Sequence, residues 1–82
     1  MERGTVENVN EVRGMFAVRC EGGFAVFELV AWIDVKPGDV VEWKRRKSGR
    51  MTLQRTSPPT SSIPVCAQNW NCSNSVALVQ IS

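Results

Sequence analysis

Valine is the dominant apolar residue of this 82-residue chain, occurring twelve times against three leucines and three isoleucines. β-Branched side chains lose rotamer freedom in helices and pack well on the pleated surface of a sheet, so this excess favours strands. No stretch of ten or more residues sustains the 3.6-residue apolar period of an amphipathic helix. The sequence therefore predicts an all-β fold.

Turn residues divide the chain into short segments. Gly22-Gly23 marks a tight hairpin, and the segment 36–39 (Lys-Pro-Gly-Asp) is a β-turn in which proline presets φ and glycine accepts a positive φ. Five or six short antiparallel strands in so small a chain indicate one domain over residues 1–82, folded as a barrel or rolled sheet. The predicted strands are Thr5–Asn10, Met15–Cys20, Phe24–Ala31, Val40–Arg46, Met51–Arg55 and Ser75–Ile81.

Residues 56–74 interrupt this strand pattern. The segment is uncharged and rich in Ser, Pro, Asn and Thr. It predicts a long polar loop or insertion before the last strand, held to the body of the domain by Ile63, Val65 and Trp70. Loops of this length in compact domains are usually functional or disordered.

The composition excludes several functional classes. Histidine is absent, which removes His-based triads, proton shuttles and metal sites. No carboxylate pair lies beside a nucleophile and no phosphate-binding glycine loop is present, so we expect a non-enzymatic protein without a cofactor. No apolar run approaches the roughly 20 residues of a membrane span. The first ten residues lack the apolar core of a signal peptide, and a cytoplasmic location without membrane contact is the expectation.

The chain has three cysteines and no CxxC motif; they are Cys20, Cys66 and Cys72. Three thiolates would fill only three of the four positions around a zinc ion, and a disulfide is disfavoured in the cytoplasm. Reduced thiols without a metal are therefore expected, with Cys20 filling space in the core as free cysteines commonly do.

Charge is divided unevenly along the chain. All eight acidic residues lie in residues 1–42 beside only four basic ones, a net charge of −4, whereas residues 43–82 carry six basic residues and no acid. In a predicted hairpin over residues 43–55, alternation places cations on both faces. Such a hairpin could bind phosphates, protect an edge strand from aggregation, or attract an acidic partner. The candidate phosphate contacts are Lys44, Arg45, Arg46, Lys47 and Arg50.

The spacing of several short motifs matches a known family. The opening G-T-V-K-W-F-N-x-x-K-G-F-G-F-I of the cold-shock domain is matched by Gly4-Thr5-Val6, Asn10, Arg13-Gly14 and Val18. Later segments of that family are similar to Val26-Phe27 with Ile33, to 35–40 with Trp43, and to Asn74–Ile81. The chain thus resembles the cold-shock domain over most of residues 4–43 and 74–81. This resemblance implies a five-stranded OB-type barrel of a family that stacks unpaired bases of nucleic acid.

Most of the aromatic platform on which that family stacks bases is missing here. Glu7-Asn8-Val9 and Met15-Phe16-Ala17 replace its aromatic-rich segments, and only Phe27 stands where a platform ring would be. If Phe27 faces inward with its alternation partners, even this ring is lost. Arg13 and Arg19 have the strand parity of a shared face and form a second candidate contact line, although neighbouring glutamates could neutralise them.

The sequence leads to two functional hypotheses. The first is a nucleic-acid-binding module that contacts single-stranded or structured nucleic acid through the basic hairpin, assisted by Phe27, Arg13 and Arg19. The second is a protein-interaction or scaffold module that has lost nucleic-acid binding and docks through the polar loop and Trp70. Trp32 and Trp43 are expected in the core or at its rim.

Overall fold

The computed structural model describes all of residues 1–82 and contains six strands and one helix. Their bounds are β1 Glu2–Asn10, β2 Met15–Cys20, β3 Gly23–Leu29, β4 Val40–Trp43, β5 Gly49–Arg55, β6 Ser61–Cys72 and α1 Asn74–Ile81. The helix, with eight residues, is far too short to cross a bilayer.

The six strands close into one antiparallel barrel. Strands β1, β2 and β3 form one meander and β4, β5 and β6 form another, and the pairs β1–β4 and β3–β6 join them. This confirms the predicted small antiparallel barrel, and the architecture is compatible with an OB-like fold. Closure requires all six strands because β6 fills the gap between β3 and β5.

Alternation along the strands decides which side chains fill the barrel. The main core contains eleven buried residues, and Phe16, Val18, Ala25 and Phe27 contribute to it from β2 and β3. Gly4 on β1 permits a close approach to β2, since a Cβ at this position would lie 2.4 Å from Val18 Cγ1 and clash with it. The remaining core residues are Val6, Val35, Val41, Trp43, Leu53, Ile63 and Val65.

The predicted long loop over residues 56–74 is wrong for most of its length. Residues 61–72 form β6, the longest strand, which pairs with β5 on one side and β3 on the other. Ile63 and Val65 point into the core, while Ser62 and Gln68 are exposed. The alternation of inward and outward side chains that is typical of a strand is therefore present in residues 61–72. It was hard to recognise in the sequence because proline and small polar residues occupy most of the other positions.

The predicted last strand, Ser75–Ile81, is also wrong, because this segment forms α1. The Ser73 Oγ accepts a hydrogen bond from the Val76 backbone N–H at 3.2 Å and caps the helix. Ala77 and Ile81, four residues apart, lie on one helix face and pack on the outer side of β2 and β3. With β6 already between β3 and β5, the barrel offers no edge to a further strand.

Candidate nucleic-acid interface

The basic run lies in a loop rather than in a strand. The predicted strand Val40–Arg46 ends at Trp43, and residues 44–48 connect β4 to β5. Trp43 pairs with Glu2 at the start of β1, which places this basic loop (residues 44–48) at the barrel end where β1 begins. All five of its residues are exposed.

Half of the basic residues form ion pairs with acidic residues. The five pairs are Arg3–Glu42, Arg19–Glu7, Lys36–Asp34, Arg46–Glu2 and Arg55–Asp39. Arg13 instead donates to the backbone carbonyls of Gln80 and Ser82 at the end of α1. The four basic residues whose charged groups have no protein partner are Lys44, Arg45, Lys47 and Arg50. Lys44, Arg45 and Lys47 lie in the basic loop, and Arg50 is the second residue of β5.

Arg46 differs from the other cations of the basic loop. Its Nε donates to Glu2 Oε1 at 2.9 Å, and its guanidinium carbon lies 5.2 Å from the centroid of the Trp70 ring. Only about a third of its side chain is exposed. A guanidinium over an indole face is a favourable cation–π geometry. Arg46 therefore closes the end of the barrel with its charge balanced, and its predicted phosphate contact would compete with Glu2.

An aromatic cluster lies beneath Arg46. The Phe27 ring centroid is 5.4 Å from that of Trp70, 5.9 Å from that of Trp43 and 5.5 Å from that of Phe16. Phe27 has no exposed surface. The prediction that Phe27 stacks on bases is therefore wrong, because its position on β3 directs it into the barrel. The prediction that Trp43 is in the core is confirmed.

The outer face of β2 and β3 is covered by α1. Met15, Ala17 and Val26 on this face are buried against Ala77 and Ile81. In OB-folds the face of the second and third strands commonly binds oligonucleotides. Here α1 occupies that surface.

The second predicted contact line does not form a free basic surface. Arg13 is held by the carbonyl end of α1, and Arg19 donates to Glu7 across the β1–β2 pair. Glu7 neutralises Arg19, which is one of the outcomes that the sequence analysis considered. The partner of Arg13 was not predicted, because the sequence analysis did not predict the helix α1 whose carbonyl end binds it.

A cleft of about 460 Å³ lies at the base of the basic loop. Trp43 and Met51 supply its apolar surface, and Thr52 and Gln54 supply polar groups from β5. Lys44, Arg45 and Lys47 line it from the loop, together with Glu42 and Met1. Sequence reasoning identified the cations but not the cleft, because the cleft exists only where β4 and β5 separate.

The basic loop is tied to β6 through an indole group. The Trp70 Nε1–H donates to the Lys47 carbonyl oxygen at 3.1 Å. Trp70 is half-buried in the aromatic cluster, so the hypothesis that it marks an exposed docking loop does not fit its position. The contact limits how far the backbone of the basic loop can move from the barrel.

The cysteines are unpaired, and no three metal-binding side chains lie close enough together to hold an ion. Cys20 is half-buried against the main core. Burial raises the pKa of the Cys20 thiol, which the nearby Arg46 charge opposes only in part. Cys20 is therefore a protonated thiol at neutral pH and acts as a small apolar side chain.

Exposed apolar residues collect at the opposite end of the barrel. Trp32 is 79% exposed, so its predicted place in the core or rim is wrong. It lines a small cleft with Glu11 and Gly14 of the β1–β2 turn, and Val12 in the same turn is 97% exposed. The basic loop and these apolar residues thus lie at different ends of the molecule.

Comparisons of the chain with protein-family models, curated proteins and solved structures find no match. The assignment of a functional surface therefore depends on the geometry and charges of this chain. The basic loop carries three of the four unpaired cations, and the cleft lies directly beneath it.

Proposed function

We propose that this protein is a small, non-enzymatic nucleic-acid-binding module with an OB-like, cold-shock-like barrel, and that it contacts phosphates through the basic loop. The observation that carries the proposal is the set of four basic residues without a partner: Lys44, Arg45, Lys47 and Arg50. Every other basic side chain already has an acid or a carbonyl to bind. A cluster of exposed and unbalanced cations is the electrostatic requirement for binding a phosphate backbone.

Binding of this kind is weak and largely independent of sequence. Phosphate contacts orient a nucleic acid but do not distinguish bases. The surfaces that contact bases in OB-folds are inaccessible here, because α1 covers the β2–β3 face and Phe27 is buried. Four phosphate contacts would give a slope of roughly −3 in a plot of log affinity against log salt.

Protection of an edge strand accounts less well for so many cations. In this closed barrel every strand pairs with two neighbours. The β5 segment from Gly49 to Leu53, which directly follows the basic loop, has no partner on its β4 side. Charged side chains protect an edge strand on which they lie, and of the four unpaired basic residues only Arg50 lies on β5.

Replacing Lys44, Arg45 and Lys47 together with serine is expected to weaken binding of a labelled mixed-sequence single strand at least tenfold at about 50 mM salt. The salt slope should fall from roughly −3 toward −1, because three of four contacts are removed. Fluorescence anisotropy measured between about 50 and 200 mM salt gives both quantities.

The matched control replaces Arg3, Arg19 and Lys36 with serine, which changes the net charge by the same amount at residues that already have ion-pair partners. Its affinity should stay within about threefold of the parent protein. Equal losses in the two triple variants, or no binding by the parent protein at low salt, would exclude the basic loop as the binding site.

The exposed apolar end favours a second candidate, a protein-interaction module. Trp32 and Val12 offer a partner apolar surface that a nucleic acid would not need. A photo-crosslinking residue at position 32 should then capture a defined protein partner in cells, whereas one at position 44 should not. Capture of nucleic acid at position 44 alone would favour the first candidate. For either candidate we propose a cytoplasmic location, which is supported by three cysteines that form no disulfide.

A further inference from the structure

Strand β5 has an open edge where it passes the basic loop. The β4–β5 ladder ends at the pair Glu42–Gln54, whereas β5 continues to pair with β6 as far as Gly49. Residues 49–53 therefore have a neighbouring strand on one side alone, and the cleft of about 460 Å³ lies along the other side. A strand with one open side presents unpaired backbone groups to any further strand that approaches it.

The direction of these backbone groups follows from a hydrogen bond at the end of β5. The Thr56 N–H donates to the Val40 carbonyl oxygen at 2.9 Å, so the backbone groups of residue 56 face β4. Backbone groups alternate from side to side along a strand, and those of Arg50 and Thr52 consequently face the same way, into the cleft. No turn or loop group of the chain bonds to either residue. Two N–H and two C=O groups are thus left open to a partner.

The cations beside this edge define the chemistry of that partner. Arg50 lies on the edge itself, and the basic loop lines the cleft with Lys44, Arg45 and Lys47. None of these four residues has an ion-pair partner, whereas Glu42, the acid in the lining, already forms one. Carboxylates on an added strand would complement this charge.

A second copy of the chain fits the same edge poorly. If two β5 edges paired symmetrically, each copy would bring its own Arg50 and basic loop next to those of the other. Like charges placed opposite one another in a sheet are destabilising. The occupant with complementary charge is a segment of a different protein.

We propose that the open edge of β5 binds an extended acidic segment of a partner protein, which adds to the barrel as an antiparallel strand. In such strand addition the backbone hydrogen bonds provide affinity and the side chains provide specificity. Side chains opposite Arg50 and Thr52 point outward with them, since residues paired across a sheet share a face. Acidic residues suit these outward positions, and small apolar residues suit the positions between them, next to the half-buried Met51.

The inference goes beyond the proposed function and does not depend on it, because it uses the backbone of β5 rather than a phosphate contact. The partner is also distinct from a protein that would bind Trp32 and Val12, which lie at the opposite end of the barrel.

A capped, fluorescein-labelled heptapeptide of alternating glutamate and valine is the probe, and fluorescence anisotropy measures its binding. N-methylation of its two inner glutamates removes the N–H groups that face β5 and should weaken binding at least tenfold, which corresponds to the loss of two hydrogen bonds. N-methylation of two of its valines is the matched control. It alters N–H groups that face away from β5, and affinity should stay within about threefold.

The variant Thr52→Pro tests the protein side of the same contact. Proline removes the Thr52 N–H and keeps every cation, so peptide affinity should fall at least tenfold while oligonucleotide affinity stays unchanged. The matched control Thr52→Val changes the same exposed side chain but keeps the N–H, and its peptide affinity should stay within about twofold of the parent protein.

Amide hydrogen exchange tests the pairing without any substitution. The amides of Arg50 and Thr52 should exchange fast in the free protein and slow at least tenfold in the presence of the peptide. The amides of Met51 and Leu53 face β6 and should already be slow without it.

Four results would overturn this inference. They are equal weakening by the two N-methylated peptides, equal binding of a heptapeptide of alternating lysine and valine, unchanged exchange at Thr52, and a dimer of the protein alone that Thr52→Pro abolishes in analytical ultracentrifugation. The last result would assign the edge to a second copy. If the parent protein binds the peptide but no oligonucleotide, the proposed function fails and this inference stands.

Discussion

Replacing Arg55 with methionine is expected to lower the free energy of unfolding by about 3–5 kcal/mol. Arg55 is 7% exposed and donates hydrogen bonds to four acceptors: the carbonyl oxygens of Asp34 and Pro59, the Asp39 carboxylate and the Ser61 hydroxyl. Methionine fills similar volume but leaves the Asp39 carboxylate, itself only 16% exposed, without its cation. The loss follows from uncompensated burial of polar groups rather than from a cavity.

Arg50→Met is the matched control for this substitution. Arg50 lies on the same strand, is exposed and has no partner, so its replacement should change stability by less than about 0.5 kcal/mol. Chemical denaturation followed by tryptophan fluorescence measures both variants. Arg55→Lys keeps the charge but not the fork of donors, and an intermediate loss is expected if the methionine variant fails to fold. A loss below about 1 kcal/mol in Arg55→Met would contradict this account of the buried arginine.

Replacing Phe27 with alanine is expected to cost about 3–5 kcal/mol. Its ring contacts Phe16, Trp43 and Trp70 with centroid separations of 5.4 to 5.9 Å, so its removal opens a cavity at the centre of the aromatic cluster. The same denaturation measurement applies. Phe24→Ala provides the comparison, because Phe24 is only partly buried against the smaller cluster under α1 and should cost less.

The conservative substitution Phe27→Leu separates packing from ligand stacking. Leucine keeps most of the buried apolar volume and should cost less than about 1.5 kcal/mol. Because the ring has no exposed surface, oligonucleotide affinity should remain within about twofold of the parent protein. A large loss of affinity in a well-folded Phe27→Leu protein would restore the stacking role that the structure removes.

Local patterns predicted the first half of the barrel well. The strand Met15–Cys20 was predicted with the bounds that the structure has, because an alternating run between glycine-containing turns can adopt few other conformations. Alternation alone did not settle which face points inward. From alternation alone, Phe27 could lie on either face of β3. The pairing of β3 with β2 and β6 places it inside the barrel.

The second half shows where local information was insufficient. Residues 61–72 looked like a loop by composition, yet they form a strand because β3 and β5 both require a neighbour. Ser75–Ile81 looked like a strand by its valines, yet it is a helix. The serine cap at residue 73 was a visible signal for that helix, but its position on β2 and β3 was not.

The candidate site also has features that the sequence shows and features that depend on tertiary contacts. The run of cations and the uneven charge distribution are properties of the sequence, and they persist in any fold. Which cations remain free was decided by tertiary contacts, since Glu2 neutralises Arg46 and Asp39 neutralises Arg55 across long sequence separations. The excess of six positive charges in residues 43–82 is thereby reduced to four unpaired ones.

The sequence by itself thus determined an antiparallel β-domain and the segment that carries its basic residues, because alternation, turns and charge are local properties. The tertiary structure alone decided that α1 covers the β2–β3 face, that Phe27 is buried, and that a cleft opens beside Trp43. Each of these depends on which strands become neighbours. That choice is made by the free energy of packing the whole core, to which residues from all six strands contribute at once.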